Sequence, residues 1–171
     1  MSVSRVSIQA ADFDLGAEVG ALRAADPGVG AVATFIGTVR DRNEGAGVSG
    51  MELEHYPGMT ERAIEAMIDA AQQRFQIRAA RVVHRIGALR PGDQIVLVIA
   101  TAAHRRAAFE ACEFLMDYLK TQAPFWKKEQ TAEGARWVDA RSADDAALER
   151  WGIEARNAAT PAEGSPGRGP R

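Results

Sequence analysis

The sequence predicts a mixed α+β fold in one domain, and three observations lead to this prediction. In the first part of the chain, segments with the apolar–polar alternation of half-buried strands take turns with segments of helical period. A strand pair joined by a short turn is predicted later, after the last long helix. The 171 residues, 46% of them hydrophobic and 26% charged, suffice for one hydrophobic core.

The first elements follow from alternation and capping. Residues 4–9 alternate as a strand does, and Asp14 can cap the helix that follows them. A β-branched run at 30–40 predicts a central strand. Residues 41–50 hold three glycines and mixed charges. They are therefore predicted to form a mobile loop beside the end of that strand, a common place for ligand contacts.

The remaining elements are predicted from the same patterns. They are a strand at 51–56, a helix at 59–75, a strand at 80–87, a turn at 88–93, a strand at 94–101, a helix at 104–122, hairpin strands at 126–131 and 135–140, and a short helix at 143–151. The strands before and after the turn at 88–93 should pair as neighbours. The domain is predicted to span residues 1–151, and residues 152–171, with little to bury, are predicted to be a disordered tail.

The long helix at 104–122 has a predicted core stripe and a predicted end. Pro124 ends it, because the residue before a proline disfavours the helical conformation. The stripe has the spacing i, i+4, i+7 and i+11 and consists of Ala108, Cys112, Leu115 and Leu119.

Charge and cysteine content argue against several classes of protein. A formal net charge of -2 and a pI near 5.9 do not fit a general nucleic-acid binder, which would carry a basic excess. The single cysteine rules out an internal disulfide and fits a reducing cytoplasm. The sequence shows neither a leader pattern nor a run of about 18 apolar residues, so a soluble cytoplasmic protein is expected.

The titratable residues form no familiar metal or nucleophile motif. His55, His84 and His104 lie far apart in sequence, and no pair has the spacing of a zinc ligand set, so neither a metal site nor a cofactor is expected. Cys112 is predicted to be an inert core thiol. A G-x-S-x-G elbow is missing, although a Ser-His-Asp triad assembled from distant residues stays open.

The cations at the end of the long helix are more informative. Lys120 and Lys127 have a plain explanation, since the first complements the helix dipole and the second protects an edge strand. Phe125 and Trp126, however, give Lys127 an apolar surround, and two ammonium groups held close together disfavour each other's protonated form. A lysine of this kind can act as a general base or as a nucleophile.

The start of the long helix carries a second basic group. His104 and Arg105 lie where the helix dipole and free N–H groups favour a phosphate or carboxylate, whereas Arg106 is interpreted as a solvated surface charge. On one continuous helix Arg105 and Lys120 lie about 22 Å apart, at roughly 1.5 Å per residue. Either the two groups serve separate sites, or a two-fold homodimer brings Arg105 of one chain to Lys120 of its partner, which is the favoured interpretation.

Six sequence blocks in one order carry a resemblance to a known family. They are FIGTVRDRN at 35–43, LEHYPGM at 53–59, HRIGALRPGD at 84–93, AHRRAAFEA at 103–111, MDYLKTQAPFWKKE at 116–129 and RWVDAR at 136–141. The likeness covers residues 6–151 and is far more specific than any single motif. Together the blocks resemble the large, catalytic subunit of molybdopterin synthase.

The resemblance implies a fold, an activity and a set of partners. The fold would be an α/β hammerhead-like single domain with an added antiparallel β subdomain. The chain would form a homodimer and bind one small ubiquitin-like sulfur-carrier subunit per chain, as a heterotetramer. The carrier's C-terminal Gly-Gly thiocarboxylate would supply two sulfurs in turn to cyclic pyranopterin monophosphate, which gives the dithiolene of molybdopterin.

The resemblance also implies roles for particular residues. Lys120 and Lys127 match the catalytic lysines. The substrate-binding positions it implies are Thr38, Val39, Arg40, His104, Arg105, Lys128 and Glu129. A binding module is the alternative from another class, in which the lysines would only clamp an anion beside a docked ubiquitin-like partner.

Overall fold

A computed structural model describes residues 3–138, 146–147 and 149–152 of the chain. Its elements, in chain order, are β1 Val6–Gln9, α1 Leu15–Ala25, β2 Ala31–Thr38, β3 Arg42–Asn43, β4 Ala46–His55, α2 Met59–Arg74, β5 Ile77–Arg85, β6 Gly87–Leu89, β7 Gln94–Ala102, α3 Arg105–Gln122, β8 Phe125–Thr131 and β9 Gly134–Val138.

The first sheet has the strand order β1-β5-β7-β2 and forms the centre of the molecule. β1 pairs parallel to β5, and the other pairs are antiparallel. The predicted pairing of the two strands around the turn at 88–93 is confirmed, since they are β5 and β7. Both strands are buried on both faces: Val82 and Val98 pack with residues of α2 and α3, whereas Val83 and Leu97 pack with Leu22 of α1.

The second sheet is antiparallel and lies beside the first. Its order is β3-β4-β8-β9, with β6 also paired to β4. The predicted hairpin is confirmed as β8 and β9, although the last two residues of its second predicted strand lie outside the described residues. The predicted α+β class, with an added antiparallel β region, is confirmed.

The predicted loop at 41–50 is wrong, because these residues form β3 and the first half of β4. Glu44 and Gly45 make a two-residue turn with φ angles of 51° and 82°, the positive values that a tight type I′ hairpin requires. Gly50 lies at a shift in the β4–β8 register rather than in a loop. Part of the predicted turn at 88–93 is likewise paired, as β6.

α3 agrees with its prediction. It is one unbroken helix that ends just before the Ala123–Pro124 bond, and all four residues of the predicted core stripe are buried. The helix packs across the first sheet and then releases the chain into β8 of the second sheet. It therefore connects the central core to the added antiparallel region.

The C-terminal predictions fall mostly outside the described residues. Of the predicted helix at 143–151, residues 146, 147 and 149 are helical, and the predicted tail lies beyond the described part except for Gly152. Trp151 packs edge-to-face on Phe75 and Phe114, with ring centroids 5.7 and 5.6 Å apart. Within the described ranges, no helix combines the length and apolar character needed to span a membrane.

Candidate active site

The junction between α3 and β8 brings the two predicted catalytic lysines to one end of the molecule. Lys120 lies exposed in the last turn of α3, and Lys127 lies half-buried as the third residue of β8. Side chains alternate along a strand, so Phe125, Lys127 and Glu129 share one face of β8. Their partners across β4 are the inward residues of the second sheet, which places this face toward the molecule's interior.

His84 forms the inner wall of this junction. It is the last residue but one of β5, is only 7% exposed, and stacks on Phe125 with ring centroids 3.8 Å apart and an interplanar angle of 17°. Nδ1 of His84 donates a hydrogen bond of 2.8 Å to the carbonyl oxygen of Arg85. His55 lies in register with Phe125 on the neighbouring strand.

The charges around His84 locate the lysines relative to it. Burial lowers the pKa of His84 to about 4, against the opposing effect of its hydrogen bond to the Arg85 carbonyl. The charges of His55, Lys120 and Lys127 are smaller causes of the same lowering. Both lysines and both histidines are therefore gathered at one place, although α3, β4, β5 and β8 each supply only one of them.

Lys128 lies on the opposite face of β8 from Lys127. Its Nζ lies 5.5 Å from the centre of the Trp137 ring, a cation–π contact on the outer surface of the hairpin. Trp126 shares this outer face and packs edge-to-face with Tyr56, with centroids 4.3 Å apart. The predicted substrate-binding position Lys128 is thus directed away from the gathered lysines and histidines.

Glu129 belongs to a buried polar network that includes residues the sequence reasoning missed. It is 2% exposed, accepts a hydrogen bond of 2.8 Å from Nδ2 of Asn43, and pairs with Arg136 at 3.3 Å. Oδ1 of Asn43 in turn lies 3.4 Å from the Arg40 guanidinium. The signal in the sequence was an Asn and an Arg within the resembling blocks, but only strand pairing shows that they meet.

The residues at the end of β2 hold different positions. Thr38 and Arg40 are exposed, whereas the Val39 side chain is buried and its backbone is fixed by hydrogen bonds with Asp93 and Gly92. Arg40 is thus carried on a rigid support. Of these three predicted positions, Thr38 and Arg40 have side chains that can reach a ligand.

The basic start of α3 lies at the opposite end of the helix from Lys120. His104 and Arg105 are exposed, no acidic residue occupies the first turn, and a shallow cleft separates them from Gly30 and Ala31. Arg106 is 87% exposed and pairs with Glu110 one turn along, which agrees with its interpretation as surface. The helix is unbroken, so the predicted separation of about 22 Å between Arg105 and Lys120 holds.

Other chemistry finds little support among the described residues. No group of three or more His, Cys, Asp or Glu side chains there is placed to hold a metal ion. Cys112 is buried on α3, and this burial raises its pKa to about 11, so the thiol is a poor nucleophile near neutral pH. The junction of α3 and β8 is the site that the geometry favours.

Comparison with known proteins identifies the family. The family model described as MoaE protein matches residues 8–122, from β1 to the end of α3. The chain belongs to the MoaE family. A molybdopterin synthase catalytic subunit from Ralstonia nicotianae is 66% identical over 153 residues, which are 90% of this chain and 87% of that protein. The predicted resemblance is confirmed, and MoaE membership makes the chain an enzyme subunit of molybdenum cofactor biosynthesis.

Solved structures extend the likeness to the MoaE fold. The molybdopterin biosynthesis MoaE protein from Burkholderia ambifaria is 58% identical, with a TM-score of 0.77 over 89% of this chain and 100% of that chain. A complex of subunits 1 and 2 of molybdopterin-converting factor from Helicobacter pylori is 20% identical, with a TM-score of 0.67 over 81% of this chain and 93% of that chain. At that identity the Helicobacter complex supports the fold alone.

Proposed function

We propose that this MoaE chain is a sulfurtransferase that moves two sulfurs, one after the other, from a thiocarboxylated carrier subunit to cyclic pyranopterin monophosphate. The observation that carries the proposal is the gathering of Lys120 and Lys127 around a buried, neutral histidine where α3 passes into β8. Two lysines at such a place can stabilise oxyanion or phosphate charge and move protons without a metal.

The chemistry divides into two bond changes for each sulfur. The thiocarboxylate sulfur forms a C–S bond with a side-chain carbon of the pterin, and an oxygen substituent leaves that carbon. The acyl C–S bond then breaks when water or the Lys120 amine attacks the acyl carbon, which leaves the sulfur on the product. Lys120 is the principal acid/base or transient acyl acceptor, and Lys127 is its electrostatic and proton-transfer partner.

The remaining predicted residues fit substrate binding to different degrees. Arg40, His104 and Arg105 are exposed cations or donors suited to phosphate and pterin oxygens. Glu129 would act indirectly, because it accepts a hydrogen bond from Asn43, and Asn43 contacts Arg40. Thr38 and the backbone of Val39 belong to the same strand end. Lys128 is the residue least suited to bind substrate, because it is directed outward.

The length of α3 supports a site shared between two chains. One chain separates Arg105 from Lys120 by about 22 Å, which no single pterin phosphate spans. A two-fold homodimer would bring the start of one α3 to the end of its partner's, and each such site would take one carrier tail. The proposed working form is a heterotetramer, in which each chain of the homodimer binds one carrier subunit. The cytoplasm remains the predicted location.

The direct test is Lys120→Ala assayed with thiocarboxylated carrier and cyclic pyranopterin monophosphate. Dithiolene formation should fall by about a hundredfold or more, while carrier binding measured by calorimetry stays close to that of the wild type. Arg106→Ala is the matched control, since it removes a cation from the same helix. Normal turnover by Lys120→Ala would contradict the catalytic assignment and favour a binding module.

The shared site has its own test in mixed dimers. At substrate concentrations well below the KM of Arg105→Ala, a Lys120→Ala chain mixed with an Arg105→Ala chain should exceed the summed activity of the two separate variants, because one of the two sites in each mixed dimer is intact. Lys120→Ala mixed with Lys127→Ala is the control that should stay inactive, since both lysines of a site come from one chain. Equal recovery of activity in both mixtures, or no recovery in the first mixture, would contradict the proposed shared site.

A further inference from the structure

The ring of His84 has a defined tautomer. The carbonyl oxygen of Arg85 can only accept a hydrogen bond, so Nδ1, 2.8 Å away, must carry a proton. In a neutral imidazole the other nitrogen, Nε2, then holds an unprotonated lone pair at the far tip of the ring. Nε2 is therefore the one acceptor atom of the ring.

The surroundings keep the ring neutral. The groups that face it are His55 from β4, Lys120 from α3 and Lys127 from β8, together with the Arg85 backbone on its own strand. Burial and these positive charges hold the pKa of His84 at about 4. Near pH 7 the ring is therefore an acceptor among cations and not a cation itself.

The ring also fixes the strand that carries Lys127. Phe125, the first residue of β8, stacks flat on His84 at 3.8 Å immediately after the chain leaves α3 through Ala123 and Pro124. Lys127 follows two residues later on the same face of the strand. The position of the imidazole thus sets where β8 starts and where its lysine is directed.

We propose that His84 is a positioning residue of the lysine pair, whose Nε2 lone pair accepts a hydrogen bond from a lysine ammonium while its ring holds the start of β8 against α3. This inference rests on the proposed function of Lys120 and Lys127. His84 is not among the predicted site residues, although it is the first residue of the resembling block at 84–93.

A neutral acceptor suits an acid/base lysine better than a carboxylate does. A buried carboxylate would hold the ammonium in a charge-assisted pair and oppose loss of its proton. An imidazole lone pair orients the same ammonium through one neutral hydrogen bond and leaves it able to give the proton up. The lysine pair therefore gains a fixed direction without being locked in its charged form.

Two substitutions separate the ring from its lone pair. His84→Phe keeps an aromatic ring to stack on Phe125 and removes the acceptor, whereas His84→Gln keeps an acceptor and removes the ring. For His84→Phe we expect normal carrier binding, a KM within about twofold, and a kcat reduced about tenfold to a hundredfold. The limb of the pH–kcat profile that reports lysine deprotonation should move to lower pH, because the ammonium has lost its acceptor.

The outcome for His84→Gln completes this test. Partial recovery of kcat and of the pH profile, relative to His84→Phe, is expected if the lone pair matters. If His84 only packs, His84→Phe will have the wild-type kcat and pH profile and His84→Gln will be the impaired variant, which would overturn the inference. Thermal unfolding of each variant identifies any loss that comes from misfolding.

A measurement without turnover keeps this inference distinct from the proposed function. Nitrogen chemical shifts of His84 in ¹⁵N-labelled protein should show the Nδ1–H tautomer at neutral pH, and an Nε2–H tautomer would overturn the assignment. If Lys120→Ala remains active, the proposed function fails whatever the tautomer is. If Lys120→Ala is inactive but His84→Phe behaves as the wild type, only the role of His84 fails.

Discussion

Basic residues lie near both ends of α3, but in opposite settings. At the start, His104, Arg105 and Arg106 stand exposed beside a shallow cleft. At the end, Lys120 belongs to a group that includes the half-buried Lys127 and is backed by buried His84. The start of α3 thus presents exposed charges only, whereas its end places the exposed Lys120 near a half-buried lysine of β8 and a buried ring.

Under the proposed function, chemistry takes place at the end of α3 and its start binds substrate. Exposed charges attract an anion and are weakened by salt, so they suit capture of a phosphate. Charges held against a buried aromatic ring keep their direction and act with less screening, which suits proton transfer. Substitutions at the end of α3 should therefore change kcat, and substitutions at its start should change KM.

The largest expected effect distinguishes two neighbouring lysines on β8. Lys127→Ala should lower kcat by about a hundredfold or more, because Lys127 lies on the inward face of β8, where its charge acts on His84. Lys128→Ala should keep kcat within about threefold, and any loss of activity should come from a higher KM, since Lys128 faces Trp137 on the outer surface. Steady-state kinetics on both variants check this. Equal losses of kcat would mean that the alternation of β8 does not define the site.

A second prediction concerns the pH dependence of stability near the end of α3. The folded pKa of His84, about 4, is below the ordinary 6.5, so between these values the unfolded chain binds a proton that the folded chain excludes. The free energy of unfolding should lose about 3 kcal/mol from this group as pH falls from 6.5 to 4, and none above that window. Urea unfolding at a series of pH values measures it.

His84→Phe supplies the control for that experiment, because it removes the titrating group and keeps the aromatic stack. The variant should show a flatter dependence of unfolding free energy on pH across the same window. Parallel curves for the wild type and the variant would show that His84 is not buried as a neutral ring. In that case the contrast between the two ends of α3 would lose its main physical basis.

Local sequence patterns sufficed for α3 and for the hairpin that follows it. The core stripe of α3 and its end before Pro124 depend on helical period and on the conformation allowed before proline, both of which are properties of neighbouring residues. The loop prediction for residues 41–50 was wrong because its outcome depends on residues that are distant in the sequence. Glycine marks loops, but it also permits tight turns and bulges inside paired strands, and only the partner strand decides between these.

Within the candidate site, the sequence singles out only the residues that carry chemistry on their own. Lys120 and Lys127 are reactive types in an unusual place, so the sequence singled them out. His84 and Asn43 matter because of what they meet, namely Phe125 and Glu129, which lie far away along the chain. No local pattern encodes such contacts.

The smallest effect is expected at the start of α3, where Arg105 and Arg106 provide a matched pair. Arg105→Ala should raise KM for cyclic pyranopterin monophosphate about tenfold with little change in kcat, since it removes one charge-assisted contact. Arg106→Ala should leave KM within about twofold, because that guanidinium is 87% exposed and already paired with Glu110. The Arg105 effect should shrink as ionic strength rises, because exposed charges are screened over about 8–10 Å at physiological salt. Equal rises in KM would instead make the start of α3 a diffuse positive patch, so that only the end of the helix would be a specific site.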